Sequence, residues 1–227
     1  MISIHNTDCI DLMATMEDKS IDLIVTDPPY SFNHVAGKGH FEDRNYFGEL
    51  VPLSHGIGEK ELGEFMRICK IPNMYLWGNW KQILFYISYF EHKNVNSNIL
   101  CWHKSNPPPL CSNVWLNDTE YCLHVRGKGA KLYGGYADHK TYWTTSVNLT
   151  DKKKYGHPTI KPLEIISQMV KNSSLEGQTV FDPYRGSGTT AVACKMLNRN
   201  CIGCEIEEKY ISLINNRLNA VNKEKWF

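Results

Sequence analysis

The 227-residue sequence contains no run of about 18 apolar residues, so no membrane-spanning helix is expected. It also lacks net charge: 25 Lys and Arg against 24 Asp and Glu leave +1. Any polyanion would have to be held by local patches rather than by a global field. Met1-Ile2-Ser3-Ile4-His5 carries neither a basic n-region nor an apolar h-region, so no secretory leader is expected. There is no internal repeat and no low-complexity segment. The eight cysteines sit mostly in apolar runs, such as Asn98-Ile99-Leu100-Cys101-Trp102 and Tyr121-Cys122-Leu123. That pattern, without a leader, reads as reduced buried thiols rather than a disulfide framework. Cys201-Ile202-Gly203-Cys204 has metal-like spacing but no second ligand pair. Residues three apart on a strand also face opposite sides, and no metal site is expected.

What remains is a chain with 42% hydrophobic residues, enough for one well-packed domain over residues 1–227. Short apolar, β-branched runs at residues 3–6, 21–25, 73–77, 99–103, 119–125, 179–181 and 201–204 read as strands. Helical spacing appears at 10–16, 59–70, 81–91, 163–172, 191–197 and 207–221. Strands alternating with helices predict an α/β protein, a doubly wound and mostly parallel sheet with helices on both faces. Two stretches lack periodicity. Residues 31–58 are Gly-rich and carry Asn33, Lys38 and Arg44 among aromatics. Residues 126–156, with Arg126, Lys128 and Lys131, read as a short inserted segment. Both have the cation and ring mixture suited to nucleic acid, although a solvated surface loop fits the same composition.

Two stretches carry chemistry. Thr26-Asp27-Pro28-Pro29-Tyr30 follows the apolar run 21–25. The two prolines end the strand and restrict the residue before them, which leaves a stiff corner holding one carboxylate and one ring. In open α/β sheets, ligands bind at that carboxyl edge; a plain strand-ending turn is the simpler alternative. Near the other end, Gly186-x-Gly188-x-x-Ala191 lies between a strand and a helix, and Glu205 closes the next strand. Glycines that let backbone approach a ligand, with an acid at ribose distance downstream, point to an adenosine-bearing cofactor, NAD among the candidates. The Gly-Lys-Ser/Thr ending of a phosphate loop is missing.

These residues together resemble the amino-group DNA methyltransferases that use S-adenosyl-L-methionine. The similarity rests on Thr26-Asp27-Pro28-Pro29-Tyr30, on His157-Pro158-Thr159-Ile160-Lys161-Pro162, on Phe181-Asp182-Pro183-Tyr184-Arg185-Gly186-Ser187-Gly188-Thr189-Thr190 and on Gly203-Cys204-Glu205. Their order is that of the family's β-group permutation, with residues 126–156 where the family keeps its target-recognition segment.

The resemblance implies a Rossmann-like fold and the transfer of a methyl group to an exocyclic amine of a flipped base in double-stranded DNA, with S-adenosyl-L-homocysteine as product. Asp27 and the Pro28 carbonyl would hold the amine, Pro29 would shape the corner, and Tyr30 would stack on the base. Phe181, Asp182, Pro183 and the loop Gly186, Ser187, Gly188, Thr189 and Thr190 would hold the methionine part and ribose. Glu205 would take the ribose hydroxyls and Asp8 would reach the adenine, although Asp8 also suits a helix cap. Thr159 and Lys161 would close the pocket near the cofactor carboxylate. Asp rather than Ser at the head of the Pro-Pro motif implies adenine N6 over cytosine N4. Carbon-5 methylation is set aside because no Pro-Cys pair occurs. An RNA or protein amine methyltransferase and a nicotinamide-dependent dehydrogenase are the other readings, and the second leaves the Asp27 corner without a role. The resemblance further implies a cytoplasmic enzyme of a bacterial, archaeal or phage-infected cell and a homodimer, and raises a cognate restriction enzyme as a partner.

Overall fold

The computed structural model describes residues 1–29, 56–107, 113, 115–147, 155 and 160–221. Among these, eight strands form one sheet: β1 (Ile2–His5), β2 (Leu23–Thr26), β3 (Asn73–Gly78), β4 (Val95–Lys104), β5 (Thr119–Gly127), β6 (Tyr142–Thr145), β7 (Thr179–Asp182) and β8 (Asn200–Cys204). Their order is β1-β8-β7-β2-β3-β5-β4-β6. All neighbouring pairs are parallel except the two made by β5, so β5 alone runs against the rest. The tips of β2, β7 and β8 therefore share one rim.

Alternation along the strands gives each face its own core. Leu23, Val25, Tyr75, Trp77, Val180 and Cys201 point to one side. There they meet α4 (Leu163–Ser173), α5 (Thr189–Met196) and α6 (Glu208–Ala220). Ile24, Met74, Leu76, Phe181 and Cys204 point to the other side. They pack against α1 (Cys9–Ala14), α2 (Glu59–Ile68) and α3 (Trp80–Phe90). β2 is buried at all four positions, as a central parallel strand covered on both faces must be. Cys201 and Cys204 fall in different cores.

Two sequence expectations change. The strand expected at 99–103 begins four residues earlier, at Val95. Its first half is polar because β6 pairs only with Cys101 to Lys104, which leaves Asn96, Ser97 and Asn98 on an open sheet edge. Residues 126–156, expected as an insertion, instead contribute to the sheet. Tyr142–Thr145 is its last strand, and Trp143 donates its indole N–H to Gln168 of α4 at 2.7 Å. The 3₁₀ turn Tyr136–His139 is tied to α4 as well, with Gln168 and Asn172 both donating to the Asp138 carbonyl.

Candidate active site

The chain leaves β2 at Thr26 and turns at Asp27-Pro28-Pro29 on the strand tip. Pro28 is buried, and the Pro29 carbonyl accepts from the Gln82 side chain at 2.9 Å. Gln82 is buried on the first turn of α3, where it also closes a capping box with Asn79. The corner is thus clamped from a helix that follows the neighbouring tip of β3. Tyr30, Asn33, Lys38, Arg44 and Thr159 lie outside the described residues.

Asp27 is met by Lys161, whose ammonium is 2.5 Å from Asp27 Oδ2 and 3.0 Å from Glu120 Oε2. Glu120 Oε1 in turn lies 2.7 Å from the Lys104 ammonium. Burial alone would raise the Glu120 carboxyl, but the two ammonium groups hold it down to about 2. Burial opposes the charge on Lys161, yet Asp27 and Glu120 more than offset it and its pKa is raised. Lys161 also lies 5.1 Å over the Trp77 ring. The resemblance implies a place for Lys161 near the cofactor carboxylate; the structure shows it bound to Asp27 and Glu120.

β7 ends at Asp182 beside β2, with Leu23 opposite Val180 and Ile24 opposite Phe181. Asp182 is buried under the glycine loop, where its Oδ1 accepts from Tyr184 N at 3.3 Å. Burial pushes its carboxyl up to about 6, against the pull of the Thr190 hydroxyl and Arg185. Gly188 has φ +76°, and a Cβ there would stand 2.8 Å from Ile214. Only glycine takes that backbone without strain. Arg217 of α6 holds the loop from beneath, donating to the Ser187 carbonyl at 2.5 Å and to Thr189 Oγ1 at 3.2 Å.

Glu205 follows the tip of β8. Its Oε2 accepts from Gly186 N at 2.8 Å and its Oε1 from Glu207 N at 2.9 Å. Burial raises its pKa. Each oxygen keeps a second acceptor direction for a ligand hydroxyl. Beside it, Ile206 is 59% exposed, an apolar surface suited to a flat ring. Asp8 lies past the tip of β1 on the same rim, and its Oδ1 caps α1 through Ile10 N at 2.7 Å.

Arg126, Lys128 and Lys131 lie elsewhere on the sheet. β5 starts at this rim with Glu120 but runs antiparallel to β3, so Arg126 pairs with Asn73 at the start of that strand. The three cations therefore belong to the far rim, away from Asp27. Composition suggested their role, but strand direction decides their position. The residues that sequence reading missed at the near rim are Glu120, Lys104, Gln82 and Ile206. Of these, Glu120 left a trace: a carboxylate near the start of a strand whose centre, Tyr121-Cys122-Leu123, is apolar.

A mostly parallel α/β sheet with a glycine loop, an acid and a rigid Asp-Pro-Pro corner on neighbouring strand tips is a Rossmann-like fold with a nucleotide-type site. The family model described as DNA methylase, covering N6 and N4 methyltransferases, matches residues 21–216. The chain belongs to that family. It is 30% identical to the type II methyltransferase M2.DpnII of Streptococcus pneumoniae, over 98% of this chain and 91% of the relative. It is 27% identical to M2.MboI of Moraxella bovis, over 96% and 88%. Among solved structures, M1.HpyAVI in complex with SAM superposes with a TM-score of 0.70 at 24% identity, covering 96% of this chain and 100% of that one. The cytosine-N4-specific PvuII DNA methyltransferase superposes at 0.74 and 15% identity, covering 99% and 89%.

Proposed function

We propose that this DNA methyltransferase moves the methyl group of S-adenosyl-L-methionine to the N6 amine of an adenine turned out of double-stranded DNA. The observation that carries the reading is the adjacency of β2 and β7, which brings the Asp27 corner and the glycine loop to neighbouring strand tips.

The residues present suit the donor. The left-handed Gly188 and the Gly186 N–H bring bare backbone to the rim, Glu205 offers acceptors for ribose hydroxyls, and Ile206 offers an apolar face for adenine. When bound, the sulfonium supplies an electrophilic methyl carbon and departs uncharged, so the chain needs no nucleophile of its own. Asp27 and the Pro28 carbonyl would hold the two N–H groups of the amine and favour a pyramidal nitrogen, whose lone pair is otherwise delocalised into the ring. Asp27 would take the proton that nitrogen sheds once the N–C bond has formed and the C–S bond has broken. The clamp from Gln82 and the ion pair from Lys161 fix the corner, so positioning and preorganised charge supply much of the rate. Asp at position 27 favours adenine, although the same pair of acceptors would serve cytosine N4.

Tyr30 remains our candidate for base stacking, and Asn33, Lys38 and Arg44 for phosphate contact. Within the segment 126–156, β6 runs back to the rim of Asp27, since Thr145 pairs with Lys104. We assign target recognition to that returning part. The proposal extends to a homodimer, checked by sedimentation, to a restriction nuclease encoded nearby, and to the cytoplasm, where the DNA substrate would be found.

Radiolabelled transfer to unmethylated DNA, followed by nucleoside separation, tests the reading. Label in N6-methyladenine is expected. Label only in N4-methylcytosine, RNA or protein overturns the substrate. A finer measurement tests the cofactor roles: Glu205→Ala should weaken donor binding by about 1–3 kcal/mol, the scale of lost charge-assisted hydrogen bonds. Calorimetry showing unchanged affinity would remove Glu205 from the pocket.

A further inference from the structure

Among the described residues, the densest charged cluster near Asp27 includes a residue that none of the motifs contains. Glu120 is the second residue of β5, 93 positions from Asp27 in sequence, and is joined to the reacting corner through Lys161. We propose that Glu120 is a positioning residue that sets the basicity of Asp27 by sharing the Lys161 ammonium. This rests on the reading of Asp27 as the acceptor of the amine.

The geometry is a chain of four charges. Asp27, Lys161, Glu120 and Lys104 alternate in sign, with successive separations of 2.5, 3.0 and 2.7 Å. Their formal sum is zero, and the two other titratable groups that face Asp27, the Tyr86 hydroxyl of α3 and the Cys122 thiol of β5, are kept neutral because burial raises both. The Lys161 side chain is only 7% exposed and the Lys104 side chain 12%, so these charges are screened weakly. An ammonium paired with Asp27 alone would draw the carboxylate into a tight ion pair and blunt its pull on an amine proton. With Glu120 taking part of the same ammonium, Asp27 stays ionised yet remains a competent acceptor. Lys104 balances Glu120, so the second carboxylate does not destabilise the first.

Without that balance, a bare second carboxylate would push Asp27 toward protonation; without Glu120, the lysine would hold it too firmly. The fold builds this arrangement from the antiparallel course of β5. That course brings residue 120, rather than residue 126, to the rim of the site.

The test replaces Glu120 with the isosteric amide. In Glu120→Gln, the carboxyl 13C titration of Asp27, assigned through Asp27→Asn, should shift to lower pH by about one unit, the size of losing one nearby like charge. This readout needs no substrate. An unmoved midpoint overturns the proposal, whatever the activity shows. In methyl transfer, kcat should fall on the order of threefold to tenfold, as a weaker base would. Its acid limb should move to lower pH, while KM for DNA and donor affinity stay within twofold. A fall in kcat with an unmoved acid limb, or a matching loss of donor affinity, makes Glu120 a merely structural residue. Failure of the wild-type chain to methylate any DNA amine is a separate result: it removes the proposed function, while the titration still decides the link between Glu120 and Asp27.

Discussion

Asp27→Ala is expected to bind S-adenosyl-L-methionine within a few-fold of the wild-type affinity while transferring methyl groups at less than about one-thousandth of the rate. The affinity should survive because the residues proposed to hold the donor through ribose and methionine sit at the tips of β7 and β8 and in the glycine loop, none of which Asp27 contacts directly among the bonds described. The rate should collapse because one change removes two things. The amine loses an ionised acceptor aimed where charge develops, an effect worth roughly 10²–10³ for a single preorganised partner. It also loses the group that takes its proton, worth about another 10²–10⁴ where general base catalysis operates.

The buried lysine complicates stability more than catalysis. Breaking a buried pair by removing one partner costs about 3–5 kcal/mol, but Lys161 keeps Glu120 at 3.0 Å, so a smaller loss is expected. Asp27→Asn separates the two effects, since it keeps the shape and loses the charge. Single-turnover transfer with labelled donor, beside calorimetry and thermal unfolding, gives all three quantities. Activity within tenfold of wild type in either variant would remove Asp27 from the chemistry.

The second large effect lies away from the reacting atoms. Gly203→Ala should destabilise the fold by about 4 kcal/mol or more, at the upper end for single substitutions. A Cβ at that position would stand 2.1 Å from the Asp182 carbonyl oxygen and 2.5 Å from Arg185 Nε. The first obstacle is backbone on the neighbouring strand, so no rotamer change relieves it. The second is a buried guanidinium that donates to Cys201 Sγ at 3.1 Å. β7 and β8 would have to separate at the tips that carry Asp182 and Glu205. For a chain of this size, a loss of that order lowers Tm by about 8–16 °C. Arg185→Ala added to Gly203→Ala should recover little, because the carbonyl contact remains. A Tm within about 3 °C of wild type would show that the strands accommodate the methyl group.

Much of this architecture could be read from residue types because proline and glycine mark it. The corner at Asp27 and the loop at Gly186 stand out through their backbone restrictions, and parallel strands buried on both faces give unmistakable apolar runs. Tyr142-Trp143-Thr144-Thr145 did not stand out as a strand, although its residues favour one. It is short, sits at an edge and follows a Gly-rich polar stretch. The charge chain was hidden for another reason. Asp27 and Lys161 are 134 positions apart, and nothing local in either motif says that their side chains meet. Lys161 was assigned to the cofactor on resemblance alone. The cations at 126, 128 and 131 teach a related lesson. Composition reveals that a segment is basic, but only the direction of β5 reveals which rim it occupies.

The pairing of β1 with β8 has a consequence for how the molecule is made. Among the described residues, β1 finds its sheet partner far downstream at residues 200–204, and β2 waits for β7 on one side. Such long-range closure slows folding and leaves early strand edges uncovered during synthesis. The proposed donor pocket therefore cannot assemble until residues 200–204 have been translated, which leaves the waiting strands open to chaperones until then.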